Sequence, residues 1–125
     1  MEIRESAEDY LETMLMLKEE YGYIRSVDIA DKLGVKKPSV SVATKRLREN
    51  GYITMDKESL ITLTESGMKI ASSIYERHRL LTKLLINLGV DAETARKDAC
   101  KIEHDLSAAT FEAIRRHVDG KSSGC

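Results

Sequence analysis

The sequence predicts a mainly α-helical protein with a small β-hairpin wing, in which an amino-terminal winged helix-turn-helix precedes a carboxy-terminal helical dimerisation region. Apolar residues recur at spacings of three and four along most of the chain, as on the buried face of a helix. A glycine-containing turn separates two short predicted helices, and two short β-rich segments, 52–55 and 60–63, flank a polar turn. We expect domains at 1–66 and 67–120, followed by a disordered tail at 121–125.

The first three predicted helices form the helix-turn-helix. The first is expected to end at Gly22, and Ser26 is expected to cap a second helix that runs through Leu33. The third begins near Pro38, which a first helical turn tolerates, and stops at Asn50. The residues expected to face the core are Ala7, Tyr10, Leu11, Met14, Leu17, Tyr21, Ile29, Ala30, Leu33, Val40, Ala43 and Leu47.

Three more helices are predicted after the hairpin. Thr64 is expected to cap a long helix that ends before Gly89. Asp91 is expected to cap a helix that runs past Cys100, and Ser107 to start the last helix. The residues expected to face inward are Ile70, Ile74, Leu81, Leu85, Leu88, Ala109, Ala113 and Ile114.

The composition is that of an ordinary globular protein, with 125 residues of which 42% are hydrophobic and 33% charged. No apolar run approaches the roughly 18 residues that span a bilayer, and no signal peptide opens the sequence. The two cysteines, Cys100 and Cys125, do not make a disulfide framework. We therefore expect a cytoplasmic protein that is not bound to a membrane.

Charge is unevenly distributed even though the net charge is −1. Segment 25–50 holds seven lysine or arginine residues and three carboxylates, whereas segment 2–20 holds two basic residues and seven carboxylates. This asymmetry indicates either two surfaces with different partners, phosphates for one and cations for the other, or charge scattered over solvated helix faces.

The order of helix, turn, basic second helix and hairpin is typical of a DNA-binding winged helix-turn-helix. Small side chains at the start of the second helix allow approach to base edges, and cations along its flank contact phosphates. Val42 can contact a thymine methyl group. The alternative is the same fold used for protein contacts, and the acidic tip of the wing predicts at most a light contact with the DNA backbone. The predicted DNA-binding residues are Lys36, Lys37, Pro38, Ser39, Ser41, Val42, Lys45 and Arg46.

Three predicted helices offer side chains that bind divalent transition metals. The first contributes two carboxylates three residues apart, the long helix contributes an imidazole, and the fifth contributes a thiolate, a carboxylate and an imidazole at i, i+3 and i+4. Carboxylate, imidazole and thiolate together suit a transition metal rather than Ca²⁺ or Mg²⁺. The candidate ligands are Asp9, Glu12, His78, Cys100, Glu103 and His104.

Each candidate ligand also has a structural interpretation, which the residues leave open. Ser6 and Asp9 fit a capping pattern at a helix start, and Cys100 fits a small buried hydrophobic residue. Glu12 fits a solvated charge, and His78 and His104 fit ordinary hydrogen-bonded side chains. His117 and Cys125 lie apart from the candidate ligands and are expected to play no part in metal binding.

Six segments follow one another, in the order of a known family, over nearly the whole chain. They are Glu8-Asp9-Tyr10-Leu11-Glu12, Asp28-Ile29-Ala30, Pro38-Ser39-Val40-Ser41, Leu63-Thr64-Glu65-Ser66-Gly67, Arg77-His78-Arg79-Leu80-Leu81 and Cys100-Lys101-Ile102-Glu103-His104-Asp105-Leu106. In these segments the sequence resembles the diphtheria-toxin-repressor family of metal-dependent transcriptional repressors, in its short manganese-regulator branch. The resemblance implies a winged helix-turn-helix, a helical dimerisation region, and a divalent metal bound by residues of both.

By position, the resemblance assigns the manganese-branch ligands to Asp9, Glu12, His78, Glu103 and His104. Cys100 departs from that branch, which has glutamate there, and is similar to the iron-responsive branch. Asp9 departs from the iron-responsive branch, which has methionine there. The implied cofactor is therefore manganese or iron, as Mn²⁺ or Fe²⁺, with one or two ions per subunit, and the thiolate favours softer ions.

Two further departures concern the longer members of the family. Thr82 and Arg96 occupy positions where the iron-responsive branch has ligands of an ancillary site, which predicts that this site is lost. The sequence also ends before the third, SH3-like domain of longer members. We expect metal binding to link the first helix to the helical half, so that two recognition helices acquire the spacing of successive major grooves.

Leucines near the end of the long helix provide more apolar surface than one buried helical face needs. This excess predicts a homodimer interface, and the alternative is that all of these side chains pack inside one chain. The residues concerned are Leu80, Leu81, Leu84, Leu85, Ile86 and Leu88.

The predicted function is a metal-dependent repressor that binds palindromic operator DNA as a homodimer and controls genes of metal homeostasis. The first alternative is a metal-independent winged-helix regulator or a protein-interaction module. The second is a small metallohydrolase, but no Gly-rich phosphate loop, nucleophile motif or additional acid–base pair supports it. We therefore expect no catalytic residues and no small-molecule substrate.

Overall fold

The computed structural model describes the backbone of residues 5–122 and the side chains of residues 6–119. The predicted fold class is confirmed, because the described elements are helices and one two-stranded antiparallel hairpin. The elements are α1 (Glu5–Tyr21), α2 (Ser26–Leu33), α3 (Lys37–Glu49), β1 (Ile53–Met55), β2 (Ile61–Leu63), α4 (Glu65–Asn87), α5 (Ala92–Ile102) and α6 (Ala108–Ser122).

Two compact units divide the chain, one up to residue 73 and the other from residue 74 onward. The division falls inside α4, so this helix contributes residues to both units. The domain boundary that we place at 66/67 from the sequence stays a prediction. Of the tail predicted at 121–125, the first two residues belong to α6 and the rest, including Cys125, lie outside the described residues.

The core of the amino-terminal unit is built by α1, α2, α3, the hairpin and the first turns of α4. Apolar side chains at helical spacing supply it, and burying each Val, Leu, Ile or Met among them stabilises the fold by roughly 1.5–3 kcal/mol. The buried set is Tyr10, Leu11, Met14, Leu17, Ile24, Ile29, Ala30, Val40, Leu47, Ile53, Ile61, Leu63 and Ala71.

The turn between α2 and α3 is made by a glycine in the left-handed region. Gly34 has a φ of 68°, and its N–H donates to Ala30 O, which closes α2. Pro38 lies in the first turn of α3 as predicted. The predicted cap at Ser26 is wrong, because Ser26 is already the first helical residue. The extended residue before the helix is Arg25, whose side chain makes no capping hydrogen bond.

The wing is a short hairpin in which Ile53 pairs with Leu63 and Met55 with Ile61. Asp56 holds its turn, because Asp56 Oδ1 accepts hydrogen bonds from the backbone N of Glu58 at 2.9 Å and from that of Leu60 at 3.0 Å. The backbone N of Ile61 donates to Ile24 O at 3.0 Å, which fixes the hairpin to the segment before α2.

The start of α4 is capped and tightly packed. Thr64 Oγ1 accepts from the backbone N of Gly67 at 3.2 Å and donates to Gly51 O at 2.7 Å, which confirms the predicted cap. A Cβ added at Gly67 would lie 2.0 Å from Tyr52 O, so a side chain larger than hydrogen does not fit there.

The carboxy-terminal unit consists of the rest of α4 with α5 and α6. Asp91 Oδ2 accepts from the backbone N of Thr94 at 3.0 Å, and Ser107 Oγ accepts from that of Thr110 at 3.1 Å. These hydrogen bonds confirm the two predicted helix starts. The buried apolar side chains are Ile74, Leu81, Ala95, Ala99, Phe111 and Val118.

The predicted inward face of α6 is wrong in part. Ala109 and Ala113 are exposed, whereas Phe111 and Val118 are buried and Ile114 is half-buried. Phenylalanine and valine remove more apolar surface from water than alanine does, so the helix turns these larger side chains inward.

Two residues assigned to apolar stripes are also exposed in a single chain. Tyr21, the last residue of α1, is 50% exposed, and its ring stacks on Tyr23 with centroids 6.0 Å apart. Leu88 is 67% exposed because α4 ends at Asn87, one residue before it. None of the helices in residues 5–122 is both long and apolar enough to cross a membrane.

Candidate metal centre

A buried carboxylate lies between two imidazoles in the carboxy-terminal unit. Glu103 is 0% exposed, and its Oε2 lies 3.0 Å from His78 Nδ1. Its Oε1 lies 3.5 Å from Nε2 of His104, whose side chain is 2% exposed. Within the described residues, Oε1 accepts no hydrogen bond that meets normal geometry. Burying a carboxylate is costly unless cationic or hydrogen-bonding groups surround it, so this arrangement fits a cation site.

The helix α5 runs past Cys100, as predicted. Its last residue is Ile102, and Glu103 and His104 lie in the turn that follows. Glu103 keeps helical backbone angles and its N donates to Ala99 O at 2.9 Å, so it stays on the same side of the helix end as Cys100, three residues earlier. Cys100 is exposed rather than a small buried residue, and a donor atom of Cys100 lies within 4.8 Å of one of Glu103.

Arg77 fixes the backbone of this turn, a role that sequence analysis did not find. Its Nη1 donates to Glu103 O at 3.0 Å and to Leu106 O at 2.8 Å. Its guanidinium carbon lies 5.1 Å from the centroid of the Phe111 ring. The signal in the sequence is its position directly before His78, in segment 77–81. Its acceptors, however, are backbone carbonyls, which side-chain patterns do not reveal.

The other two candidate ligands lie on α1 in the amino-terminal unit. Asp9 and Glu12 are three residues apart and face the same side of the helix. Glu12 is 4% exposed and Asp9 is half-buried, so neither is an ordinary solvated charge. Ser6 lies inside α1 as its second residue, which argues against the interpretation of Ser6 and Asp9 as a capping pair.

In the described residues, His117, Thr82 and Arg96 form no second cluster of metal ligands. His117 is exposed on α6. The Thr82 hydroxyl donates to His78 O at 2.7 Å, which places it within the hydrogen bonding of α4, and Arg96 is exposed. The structure thus brings together His78, Glu103 and His104 with Cys100 alongside Glu103, and it places Asp9 and Glu12 one helical turn apart.

A basic, exposed face runs along α3. Val42 is 57% exposed, whereas Val40, Thr44 and Leu47 are buried and anchor the opposite side of the helix. Thr44 Oγ1 donates to Ser41 O at 3.2 Å and so is directed into its own helix. The exposed residues are Lys36, Lys37, Pro38, Ser39, Ser41, Val42, Lys45 and Arg46. Their side chains are therefore accessible, and their contact with DNA stays a prediction.

Apolar side chains remain partly uncovered at the end of α4. Leu81 is 2% exposed and belongs to the core of its own chain, which corrects its assignment to an interface. Leu80, Leu84 and Leu85 are half-buried. Ile86 is 44% exposed and Leu88 is 67% exposed. The segment therefore presents apolar surface that one chain does not cover.

Two family descriptions match the chain almost end to end. Residues 2–60 match "Iron dependent repressor, N-terminal DNA binding domain", and residues 64–121 match "Iron dependent repressor, metal binding and dimerisation domain".

The chain is also similar to several transcriptional regulators. The chain is 41% identical over 111 residues to the transcriptional regulator MntR of Salmonella typhi, which covers 89% of this chain and 71% of that protein. It is 39% identical over 109 residues to the HTH-type transcriptional regulator MntR of Bacillus subtilis, covering 87% of this chain and 77% of that protein. An uncharacterized HTH-type transcriptional regulator of Methanocaldococcus jannaschii is 36% identical over 113 residues, covering 89% of this chain and 90% of the relative.

Solved structures share the fold. The manganese regulator SloR superimposes with a TM-score of 0.80 at 32% identity, covering 90% of this chain and 53% of that one. IdeR of T. acidophilum superimposes with a TM-score of 0.80 at 26% identity, covering 94% of this chain and 55% of that one. The chain spans about half the length of these solved structures.

Proposed function

Since this chain belongs to the diphtheria-toxin-repressor family of metal-dependent transcriptional repressors, we propose that it represses transcription by binding palindromic operator DNA as a homodimer when loaded with Mn²⁺ or Fe²⁺. It controls genes of metal homeostasis, acts in the cytoplasm and catalyses no reaction. The observation that carries the proposal is the fully buried carboxylate of Glu103 between the imidazoles of His78 and His104.

The proposed metal ligands are Asp9, Glu12, His78, Cys100, Glu103 and His104. The chemistry of these donors supports the assignment, because three carboxylates and two imidazoles suit Mn²⁺ or Fe²⁺. The exposed thiolate donor at Cys100 biases the set toward Fe²⁺, Co²⁺ or Zn²⁺. When bound, the ion supplies the positive charge that offsets the carboxylates.

Operator recognition is assigned to the exposed face of α3. Lys36, Lys37, Lys45 and Arg46 contact phosphates and position the helix, since contacts to the backbone fix register without reading sequence. Ser39 and Ser41 contact base edges or phosphates, and Val42 contacts a thymine methyl group. Support for this division comes from the side chains themselves, because segment 36–48 contains five lysine or arginine residues and one exposed valine but no carboxylate.

Binding of the ion and binding of the operator are coupled in this proposal. Three of the ligands are carboxylates, and carboxylates gathered without a cation repel one another. If metal binding favours the conformation that binds DNA, operator binding must tighten metal binding by the same factor. A coupling free energy of about 1–3 kcal/mol corresponds to a change of about 5–150-fold in operator affinity.

The test is an anaerobic titration with Mn²⁺, Fe²⁺, Co²⁺ and Zn²⁺ at fixed salt, read out by binding to a palindromic promoter fragment. We expect tighter binding with one or more ions, reversal by a chelator, and loss of the metal response in Glu103→Gln. Glu93→Gln is the matched control, because Glu93 is an exposed carboxylate of α5 that pairs with Lys97.

Two outcomes would contradict the proposal. The metal-independent winged-helix regulator is favoured instead if chelation leaves the operator affinity of the wild-type protein unchanged and Asp9→Ala binds the operator as tightly as the wild type. If metal binds but no DNA fragment does, the protein-interaction module is favoured.

A further inference from the structure

We propose that Arg77 is a positioning residue for the metal centre, which holds in place the turn that carries Glu103 and His104. The inference rests on the proposed function, because it concerns metal binding by these two residues. Arg77 is assigned no direct contact with the ion.

The turn has few hydrogen bonds of its own. The helix α5 ends at Ile102 and α6 begins at Ala108, so segment 103–107 connects the two helices. The backbone N of Glu103 still donates to Ala99 O, and that of Asp105 to Ile102 O, both at 2.9 Å. The carbonyl groups at the end of a helix lack partners within the helix and must find them elsewhere.

Arg77 supplies those partners from α4. One nitrogen, Nη1, donates both to Glu103 O at 3.0 Å and to Leu106 O at 2.8 Å. The two acceptors lie three residues apart and bracket His104 in sequence, so both ends of the ligand turn are held by one guanidinium group. A cationic donor makes these hydrogen bonds roughly twice as strong as neutral ones.

The guanidinium group is itself held by stacking on the first turn of α6. The Phe111 ring is buried, with Arg77 at 5.1 Å from its centroid and Arg115 at 5.2 Å. Arg115 forms ion pairs with Glu76 and Glu112 but, among the described contacts, makes no hydrogen bond to the turn. The two arginines thus share a ring and differ in whether they hold the ligand backbone.

Both the backbone and the side chain of Glu103 therefore contact residues of α4. Its backbone carbonyl is bound by Arg77, and its carboxylate lies 3.0 Å from Nδ1 of the neighbouring His78. Metal–ligand distances tolerate deviations of about 0.2 Å, so a turn released from Arg77 presents Glu103 and His104 less accurately. Removing groups that orient metal ligands typically weakens metal binding by about 10–100-fold.

The experiment compares Arg77→Gln with Arg115→Gln, which removes a cation from the same ring and leaves the turn carbonyls bound. We would measure Mn²⁺ binding by electron paramagnetic resonance, the Co²⁺ absorption spectrum, and the thermal midpoint of the metal-free protein. We expect Arg77→Gln to bind Mn²⁺ about 10–100-fold more weakly and to change the Co²⁺ bands. Arg115→Gln should stay within about twofold of wild type with unchanged bands, even where its thermal midpoint falls.

Amide hydrogen exchange of the metal-free protein provides a readout that is independent of metal. In Arg77→Gln, exchange should become faster at 103–106 relative to the body of α5. Arg77→Lys keeps the charge but loses the planar guanidinium group, and we expect Mn²⁺ affinity between those of wild type and Arg77→Gln. Arg77→Lys also serves if Arg77→Gln does not fold.

The inference is overturned if the Arg77 variants that fold bind Mn²⁺ like the wild type, or if affinity falls equally in Arg77→Gln and Arg115→Gln. Failure of the wild-type protein to bind any of the ions would instead overturn the proposed function on which the inference rests.

Discussion

Gly67 lies in the first turn of α4, directly against the backbone of Tyr52. A Cβ at this position would lie 2.0 Å from Tyr52 O, well inside contact distance. Tyr52 has little freedom to move, because its N donates to Leu47 O at 2.9 Å and its O accepts from the backbone N of Thr64 at 3.0 Å. The close approach therefore connects the end of α3, the wing and the start of α4.

We predict that Gly67→Ala lowers the free energy of unfolding by about 1–3 kcal/mol through overpacking. The direction opposes intrinsic helix propensity, which favours Ala over Gly by about 1 kcal/mol. Urea denaturation measures the change, and Ser66→Ala at the exposed neighbouring position is the control. Equal or greater stability of Gly67→Ala would show that the two backbones are not in contact.

Asp91 is the second residue whose contribution can be isolated. The hydrogen bond from the backbone N of Thr94 lowers the pKa of Asp91 below its usual value. A lowered pKa means that folding favours the ionised form. Its contribution to stability is therefore complete above the unfolded-state pKa of about 3.9 and is lost as the pH falls through the lower folded-state value.

We predict that Asp91→Ala lowers the thermal midpoint at neutral pH and that the difference from wild type shrinks as the pH falls below about 3.9. Thermal unfolding followed by circular dichroism over a pH series measures this. Asp98→Ala, at an exposed position inside α5, removes a carboxylate without removing the cap and is the control. A difference that persists in acid would mean that the capping hydrogen bond is not the cause.

At the scale of single elements, α3 has one buried face and one exposed face with different roles. Val40, Thr44 and Leu47 are buried at spacings of four and three, which anchors the helix in the amino-terminal unit. The exposed face carries Lys45 and Val42, a cation and an apolar side chain. The two should therefore contribute to DNA binding in different ways.

We predict that Lys45→Gln weakens binding to operator and unrelated DNA alike and reduces the salt dependence of binding by about one unit of slope per chain. Val42→Ala should weaken operator binding alone and leave the slope unchanged. Affinities measured over a series of salt concentrations separate these effects, with Lys69→Gln as the control on an exposed position of α4. A uniform loss in Val42→Ala would contradict its assignment to base contact.

The elements of the amino-terminal unit could be predicted well from the sequence because local signals mark their ends. Gly22, Gly34, Asn50 and Gly51 stop the three helices, and Pro38 marks the start of α3. These residues act through their own backbone preferences, which tertiary packing did not override.

In the carboxy-terminal unit, the buried face of α6 and the turn after α5 were harder to predict, because both depend on contacts distant in sequence. The end of α5 at Ile102 places Glu103 and His104 in a turn whose carbonyls are bound by Arg77, 26 and 29 residues earlier than its acceptors. The residue types of the candidate ligands were visible in the sequence. The cation that orders their backbone was not, since any backbone carbonyl can accept such a hydrogen bond.

At the scale of the whole molecule, the apolar end of α4 bears on association between chains. Ile86 and Leu88 are 44% and 67% exposed, and Leu80, Leu84 and Leu85 are only partly covered. Residues 64–121 match a domain described as metal binding and dimerisation, so this surface is the natural candidate for the dimer interface.

We predict that Leu88→Glu raises the dimer dissociation constant by at least about tenfold, because burying one leucine contributes roughly 1.5–3 kcal/mol and a dimer buries two. Sedimentation equilibrium measures the constant, and Asn87→Glu introduces the same charge at the adjacent exposed residue as a control. Since Leu88 is exposed in a single chain, its replacement should leave the fold intact. A monomeric wild-type protein at micromolar concentration would remove the two-half-site arrangement.

If two chains pair through the exposed end of α4, as proposed, the abundance of the protein becomes a regulatory variable. Where most chains are single, the number of pairs varies with the square of the number of chains, so halving the copies in a cell leaves about a quarter of the pairs. A promoter occupied by pairs would then respond to how much of this protein the cell makes as well as to how much metal it holds.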